Sequence, residues 1–242
     1  MNVPLIILYT LLATVSCAVS PKHSANALVE QVKVRITSYR IANNAATAYL
    51  SFTENGWYED SVGITQLCSI KSVQEGTKDT TFAVTTGYRL VDMRKKWAYE
   101  YRTMSDTAAL VNKQLITESV VLLGGWNFLP NVDITFDSLR SLTDTTIQGI
   151  TYARYMVLQS FRGKQTLSEK WVRCDKKKSI FRFNRGLSTH IGCPVVKGTT
   201  VTPDGRLPMS SVEIEFVSNA FPDSVRRVFA AWKRNVQQYP VQ

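Results

Sequence analysis

Val32, Val34 and Ile36 alternate with Lys33 and Arg35 in the segment VKVRI, and this period of two returns along much of the chain. It reappears in KKWAYEYR, with Trp97, Tyr99 and Tyr101 in phase, in VDITF with Val132, Ile134 and Phe136, and in SVEIEF with Val212, Ile214 and Phe216. Successive side chains of a strand point to opposite faces, so such segments bury one face and wet the other, as antiparallel sheets do. The runs ATAYLSF, VGITQLCSI, TTFAVTTGYRLV, TYARYMVL, EKWVRC and SIFRF are also β-rich, several of them bounded by Gly, Asn or Asp. About ten strands in series predict a β-rich α+β fold, with a single curved antiparallel sheet forming an open or half barrel.

Helical spacing is clearest near the C-terminus. In PDSVRRVFAAWKRNV the residues Val225, Val228, Phe229, Trp232 and Val236 share a stripe, Pro222 suits a first turn, and Arg226, Arg227, Lys233 and Arg234 take other faces. A helix over about 222–237 is expected to lie on the sheet and bury Trp232. A second helix is expected in SDTAALVNKQLITES from Ser105, capped by Ser105 or Asp106, and a shorter one in SANALVEQ from Ser24. No linker or low-complexity run divides the chain, so residues 19–242 are read as one domain.

The first twenty residues carry no charge, and their apolar run from Val3 to Val15 ends in small side chains. That run is short for a membrane span and reads as a signal peptide over residues 1–18, giving a secreted, extracellular or lumenal chain. A lipoprotein site at Cys17 is the rival reading. Removal of the signal leaves Cys68, Cys174 and Cys193 in an oxidising compartment. A Cys174–Cys193 disulfide is expected from their places on either side of SIFRF, with Cys68 bonded to one of them as the alternative.

Motif-dependent chemistry is missing. There is no Gly-x-Ser-x-Gly elbow and no Walker or dinucleotide-type glycine loop, and the two histidines are His23, near the expected mature N-terminus, and His190. A Cys3His zinc set of Cys68, Cys174, His190 and Cys193 lacks a Cys-x2-Cys knuckle and competes with oxidation. Glu213 and Glu215 share a strand face, as the residues of a solvated face also do. A non-enzymatic protein is expected, with no catalytic residues, no cofactor and no metal.

Between Lys170 and Gly186 there are seven basic side chains and one acidic one, +6 of the formal +10 of the chain. A hairpin is expected here, with strands Lys170–Cys174 and Ser179–Phe183 and a turn at Asp175–Lys178. On one account its lysines keep the turn solvated. On the other, Lys176, Lys177, Lys178, Arg182 and Arg185 form a surface for sulfated glycans or anionic membranes; nucleic acid is not expected. Aromatic side chains fill cores or line ligand cavities, and Trp97, Tyr99, Tyr101, Tyr155 and Trp171 are the candidates for a cavity that holds an apolar or amphipathic small ligand.

The succession FDSLRSLTDTTIQGITYARYMVL, EKWVRC, SIFRF and LPMSSVEIEF, with Ile147, Gln148, Gly149 and Ile150 as an Ile-x-Gly-Ile element, resembles extracellular LolA-like proteins over the second half of the chain. The resemblance implies an unclosed antiparallel barrel covered by helices, with a lipid-accommodating cavity. The long C-terminal amphipathic helix departs from the usual bacterial carrier, and no functional residue is carried over. The expectation is a secreted binding protein for a lipid-like ligand, with the basic hairpin as the alternative site.

Overall fold

The computed structural model describes residues 28–75, 78–116, 136–161, 164–176, 179–181 and 183–238. The expected signal peptide, residues 132–135 of VDITF, Lys177, Lys178 and Arg182 lie outside them. The strands are β1 (Val29–Ala42), β2 (Ala45–Glu59), β3 (Val62–Glu75), β4 (Lys78–Asp92), β5 (Trp97–Tyr101), β6 (Leu110–Leu115), β7 (Phe136–Ile147), β8 (Ile150–Phe161), β9 (Lys164–Val172), β10 (Val195–Val201) and β11 (Pro208–Ser218). The helices are α1 (Arg185–Ile191) and α2 (Asp223–Gln237). All eleven strands join one curved, unclosed sheet in the order β6-β5-β4-β3-β2-β1-β11-β10-β9-β8-β7, with antiparallel neighbours throughout.

Tight turns set the hairpin registers. Asn43 and Asn44 both have positive φ, 51° and 57°, at the β1–β2 corner, and Gln148 (51°) and Gly149 (75°) repeat this between β7 and β8. Two consecutive left-handed residues match the strand twist, and Asn and Gly tolerate that conformation best. The Ile-x-Gly-Ile element is therefore a hairpin corner.

The period of two sorts side chains onto two faces. On the inner face one core cluster runs from Val91 and Ala98 through Val32, Val34 and Tyr58 to Val157 and Val172, with Phe181, Phe183 and Leu187 packed among them. Contact between such distant strands requires the sheet to curl around this side. On the outer face, α2 covers the β3–β5 half. Its Val225, Val228, Phe229, Trp232 and Val236 pack on Ile64, Leu90, Tyr99 and Tyr101. Trp232 is fully buried, stacks on Tyr101 at 3.8 Å between centroids, and donates its indole N–H to the Ser105 carbonyl at 2.9 Å.

Three local expectations are corrected. The segment from Ser105 is not a helix: a turn closes with Ala108 N–H on the Ser105 carbonyl (3.2 Å), and Leu110–Leu115 is β6, paired with β5. Ladder bonds along β5 outweigh a helix propensity that, at this length, is marginal. Val29–Gln31, the end of the second expected helix, begins β1 for the same reason. The basic hairpin does not form either. After β9 the chain makes a 3-10 turn over Cys174–Lys176, Phe181 and Phe183 pack on the inner face, Phe183 bridges to Val195, and Arg185 opens α1.

Between β2 and β3 the sheet forks. These strands pair only over Gly56–Glu59 and Val62–Thr65, whereas β1–β2 and β3–β4 are paired along their whole lengths. The Gln66 side chain sits in the crotch: its carbonyl oxygen accepts from Asn55 N (3.2 Å) and Nδ2 (2.8 Å), and its amide donates to Thr85 Oγ1 (2.6 Å).

Candidate ligand-binding face

Phe181, Phe183 and α1 form a plug against the inner face, held at several points. Cys174 and Cys193 are joined by a disulfide, which ties the end of β9 to the entry of β10, while Cys68 is free and half-buried. Buried Glu30, in phase with Val32 and Val34 on β1, accepts Ser179 Oγ at 2.8 Å and the Phe181 amide at 2.9 Å. The Phe181 amide is a donor that a Ser179–Phe183 strand could have given to a hairpin partner, and here Glu30 takes it. At α1, Asn184 Oδ1 caps the Leu187 amide (3.3 Å), and buried Ser188 donates to the Phe183 carbonyl (2.8 Å) while accepting the Val195 amide (3.1 Å). Phe181 and Phe183 share a face as expected, and that face is inward.

Past the plug, the ladder registers align one inner-face row across six strands: Tyr155, Lys170, Gly198, Val212, Ile36 and Phe52. Tyr155, Val212, Ile36 and Phe52 are half-buried. The next row runs Leu139, Val157, Ser168, Thr200, Ser210, Ser38 and Leu50, apolar at its two ends and hydroxyl-bearing between them, with Val157, Ser168 and Leu50 buried. The first row is apolar around Lys170, and a band of hydroxyl groups lies beside it.

The charged groups of this region are unusual for a sheet interior. Lys170 is 7% exposed, and burial lowers its ammonium from the usual lysine value to about 8. Its Nζ lies 5.5 Å from the centroid of the Phe183 ring, and among the described residues no carboxylate pairs with it. A methyl group on Gly198 would fall 2.9 Å from both Lys170 Nζ and Phe183 Cε1, so the missing Cβ makes room for the amine. Toward the fork, burial raises Glu54 to about 7, against the opposing pull of Arg89. Arg89, 4% exposed, holds Glu100 Oε1 through Nε (3.1 Å) and Nη2 (2.6 Å), and Gln114 and Asn112 also donate to that carboxylate.

The structure does not bring the five candidate cavity aromatics together. Trp97, Tyr99 and Tyr101 lie on the outer face beneath α2. Trp171 is also outer, between Arg154 and Lys197 at 5.5 and 4.9 Å from its ring, with its indole N–H on Glu169 at 2.8 Å. Only Tyr155 is inward. Of the basic candidates, Lys177, Lys178 and Arg182 are outside the described residues, as is the side chain of Arg185, which opens α1. Lys176 has its amine 5.8 Å from the Phe216 ring. Glu213 and Glu215 meet Arg35, Lys197 and Lys33 in ion pairs along the outer face, an ordinary solvated ladder. Glu30, Glu54 and Ser168 were not singled out in the sequence, and Lys170 was read only as the first cation of the basic stretch. Glu30, Glu54 and Lys170 carried a signal, a polar residue two positions from Val32, Phe52 and Val172 respectively; Ser168, between Thr166 and Lys170, carried none.

No family model and no curated protein sequence matches this chain. Among solved structures, LprF from Mycobacterium bovis is 12% identical with a TM-score of 0.37, over 80% of this chain and 90% of LprF. The LolA superfamily protein NE2245 from Nitrosomonas europaea is 10% identical with a TM-score of 0.25, over 82% of this chain and 89% of its own. The likeness to LprF and to the LolA superfamily protein NE2245 is a faint one. That likeness concerns fold, and the chemistry of the site rests on the inner-face residues described above.

Proposed function

We propose that this protein is a secreted, non-enzymatic binding protein that holds an apolar or amphipathic, lipid-like ligand against its inner face. The observation that carries this reading is the row from Tyr155 to Phe52, where half-buried apolar side chains continue well beyond the plug. Ligand sites are concave and mostly apolar, with a small number of placed polar groups, and this face has that make-up. Secretion is supported by the uncharged apolar leader and by the Cys174–Cys193 bond. Among the described residues no helix is long and apolar enough to cross a membrane.

Native mass spectrometry and solvent extraction of protein from its own source test the proposal, with lipid expected in the extract. Val212→Asp puts a charge in the middle of the row and should abolish co-purification, with the near-ultraviolet circular dichroism retained. Lipid that persists in a folded Val212→Asp protein would place the ligand elsewhere.

A further inference from the structure

On the inner face of β8 and β9, three hydrogen-bond donors lie in one strip. Lys170 and Ser168 are two residues apart on β9, hence on the same face, and Gln159 sits opposite Thr166, diagonal to Ser168. Ser168 is 1% exposed, and neither Ser168 Oγ nor Gln159 Nε2 has a hydrogen-bond partner. Lys170 is buried with no carboxylate against it among the described residues. Buried polar groups are nearly always paired, and buried charges more strictly so, because each orphan retains the full cost of leaving water. Two unpaired buried groups that can donate, with a cation that has no carboxylate partner beside them, are together complemented by an anionic oxygen acceptor.

The surroundings hold the amine in place. Gly198 lies beside Lys170 in the same row, and any Cβ there would collide with the amine and with Phe183. Gly198 has no positive φ, so what its missing side chain supplies is the volume that the Lys170 amine and the edge of the Phe183 ring occupy. Tyr155, directly across from Lys170, Leu139 and Val157 line the strip with apolar surface.

We infer that Lys170, Ser168 and Gln159 form the headgroup site for an acidic amphipathic ligand, a carboxylate or phosphate carried on an apolar tail. This rests on the carrier reading above and adds the sign and position of the head. The anion accepts from the ammonium, the hydroxyl and the amide, while the tail follows the row toward Val212 and Ile36. Burial holds the Lys170 ammonium near a value of about 8, so most of it is protonated at neutral pH.

Isothermal calorimetry on lipid-stripped protein at neutral pH, with oleate, oleyl alcohol and inorganic phosphate as probes, tests the assignment. Wild type should bind oleate about 10-fold or more tighter than oleyl alcohol, the range of a charge-assisted hydrogen bond, and phosphate far more weakly than oleate. In Lys170→Met that preference should vanish while oleyl alcohol still binds. Ser168→Ala should reduce the preference by about threefold, the worth of one neutral hydrogen bond, and supplies the reading if Lys170→Met does not fold. A wild type that binds both tailed probes equally, or a Lys170→Met variant that keeps the preference, overturns the headgroup site and leaves the carrier reading standing. Phosphate binding as tightly as oleate shows a free-anion site and overturns the tailed ligand. No binding of either tailed probe to wild type removes both readings.

Discussion

At the scale of single residues, Glu54 and Lys170 make the fold sensitive to pH in opposite senses. Burial raises the folded-state value of Glu54 from 4.5 to about 7, so the folded protein holds this proton more tightly than the unfolded chain does. Its contribution to stability is greatest below the ordinary carboxylate range, falls as pH rises from 4.5 through about 7, and is level above that. Glu54→Gln should flatten this fall and stabilise the fold above neutrality, by an amount on the order of 3 kcal/mol at most, read from thermal melts across the range. Lys170 is lowered from 10.5 to about 8, so its penalty is present below 8 and lifts as pH climbs toward 10.5. Both residues were legible as breaks in phase: Glu54 lies two residues from Phe52 and from Gly56, and Lys170 two from Val172. What could not be read was their solvation, since alternation separates the two faces of a strand without saying which the sheet will curl around. The same ambiguity put Trp97, Tyr99 and Tyr101 in a cavity when they lie in the outer core.

At the scale of elements, α2 was readable because its stripe is long and in register. Its amphipathic face meets residues whose apolar phase was equally clear, Leu90, Tyr99 and Tyr101. Trp232→Ala should cost roughly 3 to 5 kcal/mol, the usual loss for a large buried aromatic, and calorimetric melting checks it. A chain whose melting temperature did not move would be one in which α2 does not brace the sheet. The segment from Ser179 to Phe183 was misread for the opposite reason. Its local pattern suits a strand, and a carboxylate 149 residues earlier in the chain, Glu30, decides where its donors go. Asn184 and Gly192 at the two ends of α1 were a capping signal in plain view, but a helix this short has no periodic stripe to announce it.

For the whole molecule, the order of the eleven strands follows hairpin by hairpin, except where β1 takes β11 as its second partner. That closure joins the N-terminal meander to the C-terminal one and gives the inner face its continuous row. No local pattern encodes it. Hydrogen exchange should rank the ladders: amides between β1 and β11 exchange slowest, and alternate amides of residues 45–54 in β2 and 67–74 in β3, those turned away from the β1 and β4 partners, exchange fastest within the sheet. Uniform protection along β2 would mean that the arms zip together in solution. The fork has a further consequence. An open sheet ordinarily has two edges, and parting β2 from β3 gives this one four, two of them facing each other in its middle. Facing edges are a slot into which an extended strand from another chain could be laid.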